Sequence, residues 1–164
     1  MKLYLLRHGQ AEELDSAKFP SDSVRPLTAR GERNTRRLAR ALGQWEVTFD
    51  VILSSDLVRA RDTADLVAEG LGSKGKVGRS EHLAPGGDAR ELIKEINKLS
   101  PTPGSLLLVG HEPDLGRLVS LFCTGGYDLP IFFKKGGLCR LDVSALKYGC
   151  CAVLEWMIPP GVLD

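Results

Sequence analysis

Short apolar runs alternate with amphipathic stretches along the whole chain, and that alternation leaves few architectures open. Residues 2–6, 50–53 and 106–109 each have strand length. The last is apolar at every position, as a strand covered on both faces must be. Thr28 reads as the N-cap of a helix running to about Leu42, with Gly31 and Glu32 in its first turn. Helical spacing puts Leu38, Ala41, Leu42 and Trp45 inward and Arg33, Arg36, Arg37 and Arg40 outward. A second helix is expected over 57–71, with Ala60, Ala64, Val67 and Leu71 on the core face and Gly70, Gly72 and Gly75 closing it. Next come a weaker strand near Val77, a helix capped by Asp88 that ends near Leu99, and a helix ending near Cys123. Residues 131–133, 138–143 and 151–156 read as further strands. The expected fold is a three-layer α/β domain over residues 1–164, with a mostly parallel central sheet flanked by helices.

A formal charge of +1 provides no global field to draw nucleic acid or an acidic membrane, so any anion site must be local. The N-terminal apolar run is too short for a signal core or a membrane span. Cys123, Cys139, Cys150 and Cys151 show neither C-x-x-C nor zinc-ribbon spacing and are expected as buried free thiols. A cytoplasmic monomer without metal or cofactor is the expectation.

Three strand ends carry unusual residues. The first runs into Arg7-His8-Gly9, the second leads to Arg59 in the first turn of its helix, and the central one ends in Gly110-His111. Parallel strands present their carboxyl ends on one edge, so two arginines and two histidines converge on one pocket. Guanidinium forks suit bidentate contact with an oxyanion, and a neutral imidazole is a nucleophile. Other phosphatase chemistries lack their motifs. No cysteine precedes an arginine by six positions, no two aspartates flank a single residue, and the P-loop and G-x-S-x-G patterns are absent. A zinc hydrolase built from His8, His82 and His111 lacks a helical H-x-x-x-H pair.

Four segments in this order make the chain resemble the histidine phosphatase superfamily, also called phosphoglycerate mutase-like. They are Arg7-His8-Gly9; Pro26-Leu27-Thr28 with Gly31; Ser54-Ser55 with Arg59-Ala60 and Thr63; and Gly110-His111. The likeness spans Lys2 to about Met157. Its compactness, Ser23-Val24-Arg25 and Leu83-Ala84-Pro85 with Gly87-Asp88 look most like the short bacterial phosphohistidine phosphatases. The resemblance implies a metal-independent phosphatase in which His8 attacks phosphorus and becomes a phosphohistidine that water hydrolyses. It implies that Arg7 and Arg59 hold phosphoryl oxygens and that His111, as imidazolium, donates to the same group. Gly9, Thr28, Glu81 and His82 are the expected substrate-binding residues. Either Glu81 or His82 corresponds to the family's general acid, and a phosphohistidine substrate needs neither. The short segments 9–26 and 83–105 imply an open groove admitting a phosphorylated protein such as a phosphotransfer domain; Lys134-Lys135-Gly136-Gly137 reads first as a solvated turn, with contact to substrate as the alternative. The competing expectations are a small phosphate ester as substrate, or a non-catalytic phosphoprotein-binding module.

Overall fold

A computed structural model describes residues 1–73 and 77–162; Gly75, expected to help close the second helix, lies outside them. The strands are β1 (Lys2–Arg7), β2 (Val51–Ser54), β3 (Val77–Arg79), β4 (Ser105–Gly110), β5 (Leu138–Val143) and β6 (Ala152–Ile158). They form one sheet in the order β3-β2-β4-β1-β5-β6. The first four of that order run parallel, β5 pairs antiparallel with β1, and β6 pairs antiparallel with β5. The helices are α1 (Ala29–Gln44), α2 (Val58–Gly70), α3 (Ala89–Asn97) and α4 (Asp114–Thr124).

The period of two along β1 and β4 creates the three layers. Leu3, Leu5, Leu106 and Leu108 point into a core with Leu92, Ile96, Leu115 and Phe122 of α3 and α4. Tyr4, Leu6, Leu107 and Val109 point the other way, onto Leu38, Leu42, Ala64 and Val67 of α1 and α2. All of Leu106–Val109 is fully buried, and each such side chain contributes about 1.5–3 kcal/mol on leaving water. Thr28 caps α1 by accepting from Gly31 N at 3.0 Å, and Asp88 caps α3 by accepting from Arg90 N at 2.7 Å.

Several sequence expectations shift. Residues 131–133 form no strand, because side chains rather than a neighbouring strand take up the backbone of Phe133. On α1 the inward stripe uses Ala39 instead of Ala41. Trp45, at the C-cap, is 48% exposed and meets Trp156 edge-on. Cys150 is exposed, although all four thiols are free as expected.

Candidate active site

β1 and β4 pair in register up to Arg7 opposite Gly110, so the residues that follow them leave the sheet at one level. His8 N–H donates to Gly110 O at 3.1 Å, and the His8 and His111 rings stand 5.0 Å apart. Beside them β2 ends, and Ser55 N–H donates to Val109 O at 3.1 Å. Arg59, one residue into α2, then reaches across to His8. Local sequence accounts for this convergence: parallel register sets the height, and the turn after β2 sets the reach.

The tautomer of His8 follows from its surroundings. Its Nδ1 lies 2.7 Å from Gly9 O, a pure acceptor, so Nδ1 carries the proton and Nε2 the lone pair. Arg59 Nε–H donates to that Nε2 at 3.3 Å. Burial pushes the His8 imidazole down to about 3; nearby His111, Arg59 and Arg7 add to the effect, and the Gly9 carbonyl opposes it.

His111 is fixed from the other side. Its Nε2 lies 2.9 Å from Ser55 Oγ, which already accepts from Leu57 N–H. Among the described residues Nε2 is the one acceptor in reach of the hydroxyl hydrogen, and a hydroxyl that donates there puts the proton of His111 on Nδ1. That Nδ1 is buried and has no partner among the described residues, as is Arg7 Nε. Burial first, then Arg59, pushes the His111 imidazole down to about 4. These surroundings favour the neutral ring, with Nδ1–H as its donor; the imidazolium expectation concerns the ring beside a bound phosphoryl group.

Gly9 stands where it does because α1 crosses close by. A Cβ there would lie 2.9 Å from Thr35 Oγ1, and one on Gly31 would lie 2.1 Å from Gln10 O. Gly9 N–H donates to Thr63 Oγ1 at 3.0 Å, while the Thr63 hydroxyl donates to Arg59 O at 2.7 Å. Gly9 therefore couples the nucleophile's loop to α2. The hydroxyl of Thr28 is occupied by its cap and by Gln10 O, at 3.2 Å. Glu81 (exposed) and His82 (half-buried) form a single turn of 3₁₀ helix after β3, and neither hydrogen-bonds to Arg7, His8, Arg59 or His111. Lys134 and Lys135 are exposed, and the tie to the site is backbone: Gly136 N–H donates to Arg7 O and His8 O.

Two contacts, those of Asp22 and Glu112, have no signature in the sequence, whereas Ser55 belongs to one of the segments that carry the resemblance. Asp22 lies over Arg59, with its backbone O 2.8 Å from Nη1 and Oδ2 2.9 Å from Nη2. Asp22 thus brings the short segment before Pro26 onto Arg59, beside the buried His8 and His111. Glu112 accepts from Phe133 N–H and from Gly116 N–H, and so holds the loop whose Phe133 O receives Arg7 Nη1 at 2.6 Å. Ser55 orients His111 as described. Among the described residues, no three His, Cys, Asp or Glu side chains are grouped to hold a metal ion, and no helix is long and apolar enough to cross a membrane.

Two buried histidines, the buried Arg59 and the half-buried Arg7 at the carboxyl edge of the parallel strands define an α/β protein with a local cluster of cationic and imidazole side chains. A family model, histidine phosphatase superfamily (branch 1), matches residues 3–84. An uncharacterized protein of Picosynechococcus sp. is 36% identical over 149 residues, covering 90% of this chain and 88% of that protein. Phosphohistidine phosphatase SixA of Escherichia coli K12 is 29% identical over 161 residues, covering 98% of this chain and 94% of that protein. The structure of the protein histidine phosphatase SixA complexed with tungstate superposes with a TM-score of 0.83, at 29% identity and full coverage of both chains. The chain belongs to the histidine phosphatase superfamily and is a phosphatase of that type with the phosphoglycerate mutase-like fold.

Proposed function

We propose that this protein hydrolyses phosphohistidine, presented by a protein such as a phosphotransfer domain, through a covalent intermediate on His8. The observation that carries the reading is the His8 tautomer: Nδ1–H tied to Gly9 O leaves Nε2 as a buried lone pair between an arginine and a second imidazole. The tungstate complex of a relative supports a tetrahedral oxyanion as ligand.

In the first step, His8 Nε2 forms a bond to phosphorus while the bond from phosphorus to the substrate nitrogen breaks. The released electron pair returns to the departing ring. Arg59 Nε–H gives up its contact with Nε2 and takes a phosphoryl oxygen instead. Arg7 Nε–H and His111 Nδ1–H, both buried without partners among the described residues, supply further donors. In the second step, water attacks phosphorus, the bond to His8 Nε2 breaks with its electron pair returning to the ring, and dihydrogen phosphate leaves. The Nδ1–H···O=C bond to Gly9 persists through both steps and favours the imidazolium that the intermediate requires. A departing imidazole protonated on its other nitrogen needs no general acid, so Glu81 and His82 are dispensable for this substrate. They are the candidates for an alkyl phosphate.

The test is rapid-quench labelling with a radiolabelled phosphohistidine protein. Wild-type protein should carry acid-labile label on His8 and release phosphate; His8→Ala should do neither. Turnover surviving in His8→Ala refutes the mechanism. Binding without turnover by the wild type indicates a phosphoprotein-binding module, and release only from small monoesters refutes the substrate.

A further inference from the structure

We infer that Asp22 is a specificity-determining residue, which favours substrates whose leaving group is a cationic N–H ring and disfavours phosphate esters of alcohols and phenols. The inference rests on the phosphohistidine reading above and adds to it a residue that selects the leaving group.

Asp22 opens a single 3₁₀ turn, Asp22–Val24, in the segment between Gly9 and α1. Its Oδ2 lies 2.9 Å from Arg59 Nη2, on the same guanidinium whose Nε donates to His8. One guanidinium group therefore separates the carboxylate from the nucleophile. The Arg59 side chain is 5% exposed and that of Asp22 is 44% exposed, so the carboxylate marks the way from solvent to the buried pair. Its other oxygen is anchored: Oδ1 accepts from Arg25 Nε at 2.7 Å and from Nη2 at 2.5 Å. Arg25 is in turn held by Glu12 O, 2.5 Å from Nη1. A carboxylate held by two arginines at the mouth of a site is a fixed anion. Burial works to raise the Asp22 carboxyl, but the hydrogen bonds from Arg25 and Arg59 outweigh it and hold it below the usual range.

A fixed anion beside a phosphoryl site discriminates by charge. Both kinds of substrate bring the same PO3 group, so the leaving group decides: an ester's leaving oxygen develops negative charge, which Asp22 repels and, being ionised, cannot neutralise with a proton. Phosphohistidine protonated on its second ring nitrogen brings a positive ring. Asp22 can accept that N–H and keep the ring cationic while the P–N bond breaks. The bonding pair returns to the ring nitrogen, and a neutral imidazole leaves with the proton it arrived with. No proton crosses the site in this step.

The experiment compares wild type, Asp22→Asn and Asp22→Glu on a phosphohistidine peptide and on phenyl phosphate. For Asp22→Asn, kcat/KM on phosphohistidine should fall at least tenfold and kcat/KM on phenyl phosphate should rise. Asp22→Glu keeps the charge and should keep the wild-type preference. Equal losses on both substrates would show that Asp22 only positions Arg59 and would overturn the inference, as would an unchanged ratio. These outcomes leave the substrate reading intact. A wild type that labels His8 from phenyl phosphate but never turns over phosphohistidine removes that reading and the inference together.

Discussion

Two neutral, buried imidazoles make the stability of this protein depend on pH in a way that can be calculated. His8 and His111 are 5% and 3% exposed, so solvent screens neither appreciably. Their folded pKa values, about 3 and about 4, lie below the free-imidazole value of 6.5. Below pH 6.5 the unfolded chain therefore binds more protons than the folded one, and stability is lost as pH falls towards the folded values. Between pH 7 and pH 5, each imidazole should cost about 2 kcal/mol, and the pair about 4 kcal/mol. Carboxylates held low in the folded state, such as Asp22, act in the same direction at lower pH, so a single curve does not isolate the histidines. A difference between variants does. Urea denaturation of wild type and His8→Asn at pH 7, 6 and 5 should give parallel behaviour above 6.5. Below it, the variant's slope should be shallower by about 1.4 kcal/mol per pH unit, one proton's worth. The change of slope is the result, because the substitution also alters absolute stability through Arg59. Identical slopes would mean that His8 takes up a proton in the folded protein as easily as in the unfolded chain, and the neutral-nucleophile argument would fail.

Other expectations are simpler to state. Gly31→Ala would place a methyl 2.1 Å from the Gln10 carbonyl oxygen, so urea denaturation should show a loss of at least ~2 kcal/mol; a smaller loss would mean that α1 can move away from the Gly9 loop without cost. Ser55→Ala removes the bond that keeps the His111 proton on Nδ1. Phosphatase kcat should fall at least tenfold while stability drops by about 1–3 kcal/mol, and an unchanged kcat would show that another group sets that tautomer.

The parts of the fold that a sequence reveals are those governed by periodicity. Leu106-Leu107-Leu108-Val109 announces a strand buried on both faces, and the structure places it in the sheet between β2 and β1. Thr28 and Asp88 announce helix starts through local hydrogen bonds that need no tertiary partner. The meeting of Arg7, His8, Arg59 and His111 is legible for the same reason, since strand ends and a first helical turn have heights set by register. Residues 131–133 are apolar and β-prone, yet they extend without pairing, because Glu112 and Arg7 bond the backbone of Phe133. That outcome depends on side chains far away in the chain, and no local pattern encodes it.

Asp22 carries the same lesson to the site. From sequence, Arg59 is a positive charge near a nucleophile, and it is natural to assign all of it to an anionic ligand. A guanidinium, however, has five N–H groups with fixed directions, and the structure spends one on His8 and two on Asp22. Two remain, one on each terminal nitrogen. The contact with His8 must also be exchanged before the imidazole can attack. Charge counted along a chain says that an anion is welcome at such a site. Only the direction of each N–H says how much of that charge is already committed, and an aspartate in an unpatterned turn commits two of the five.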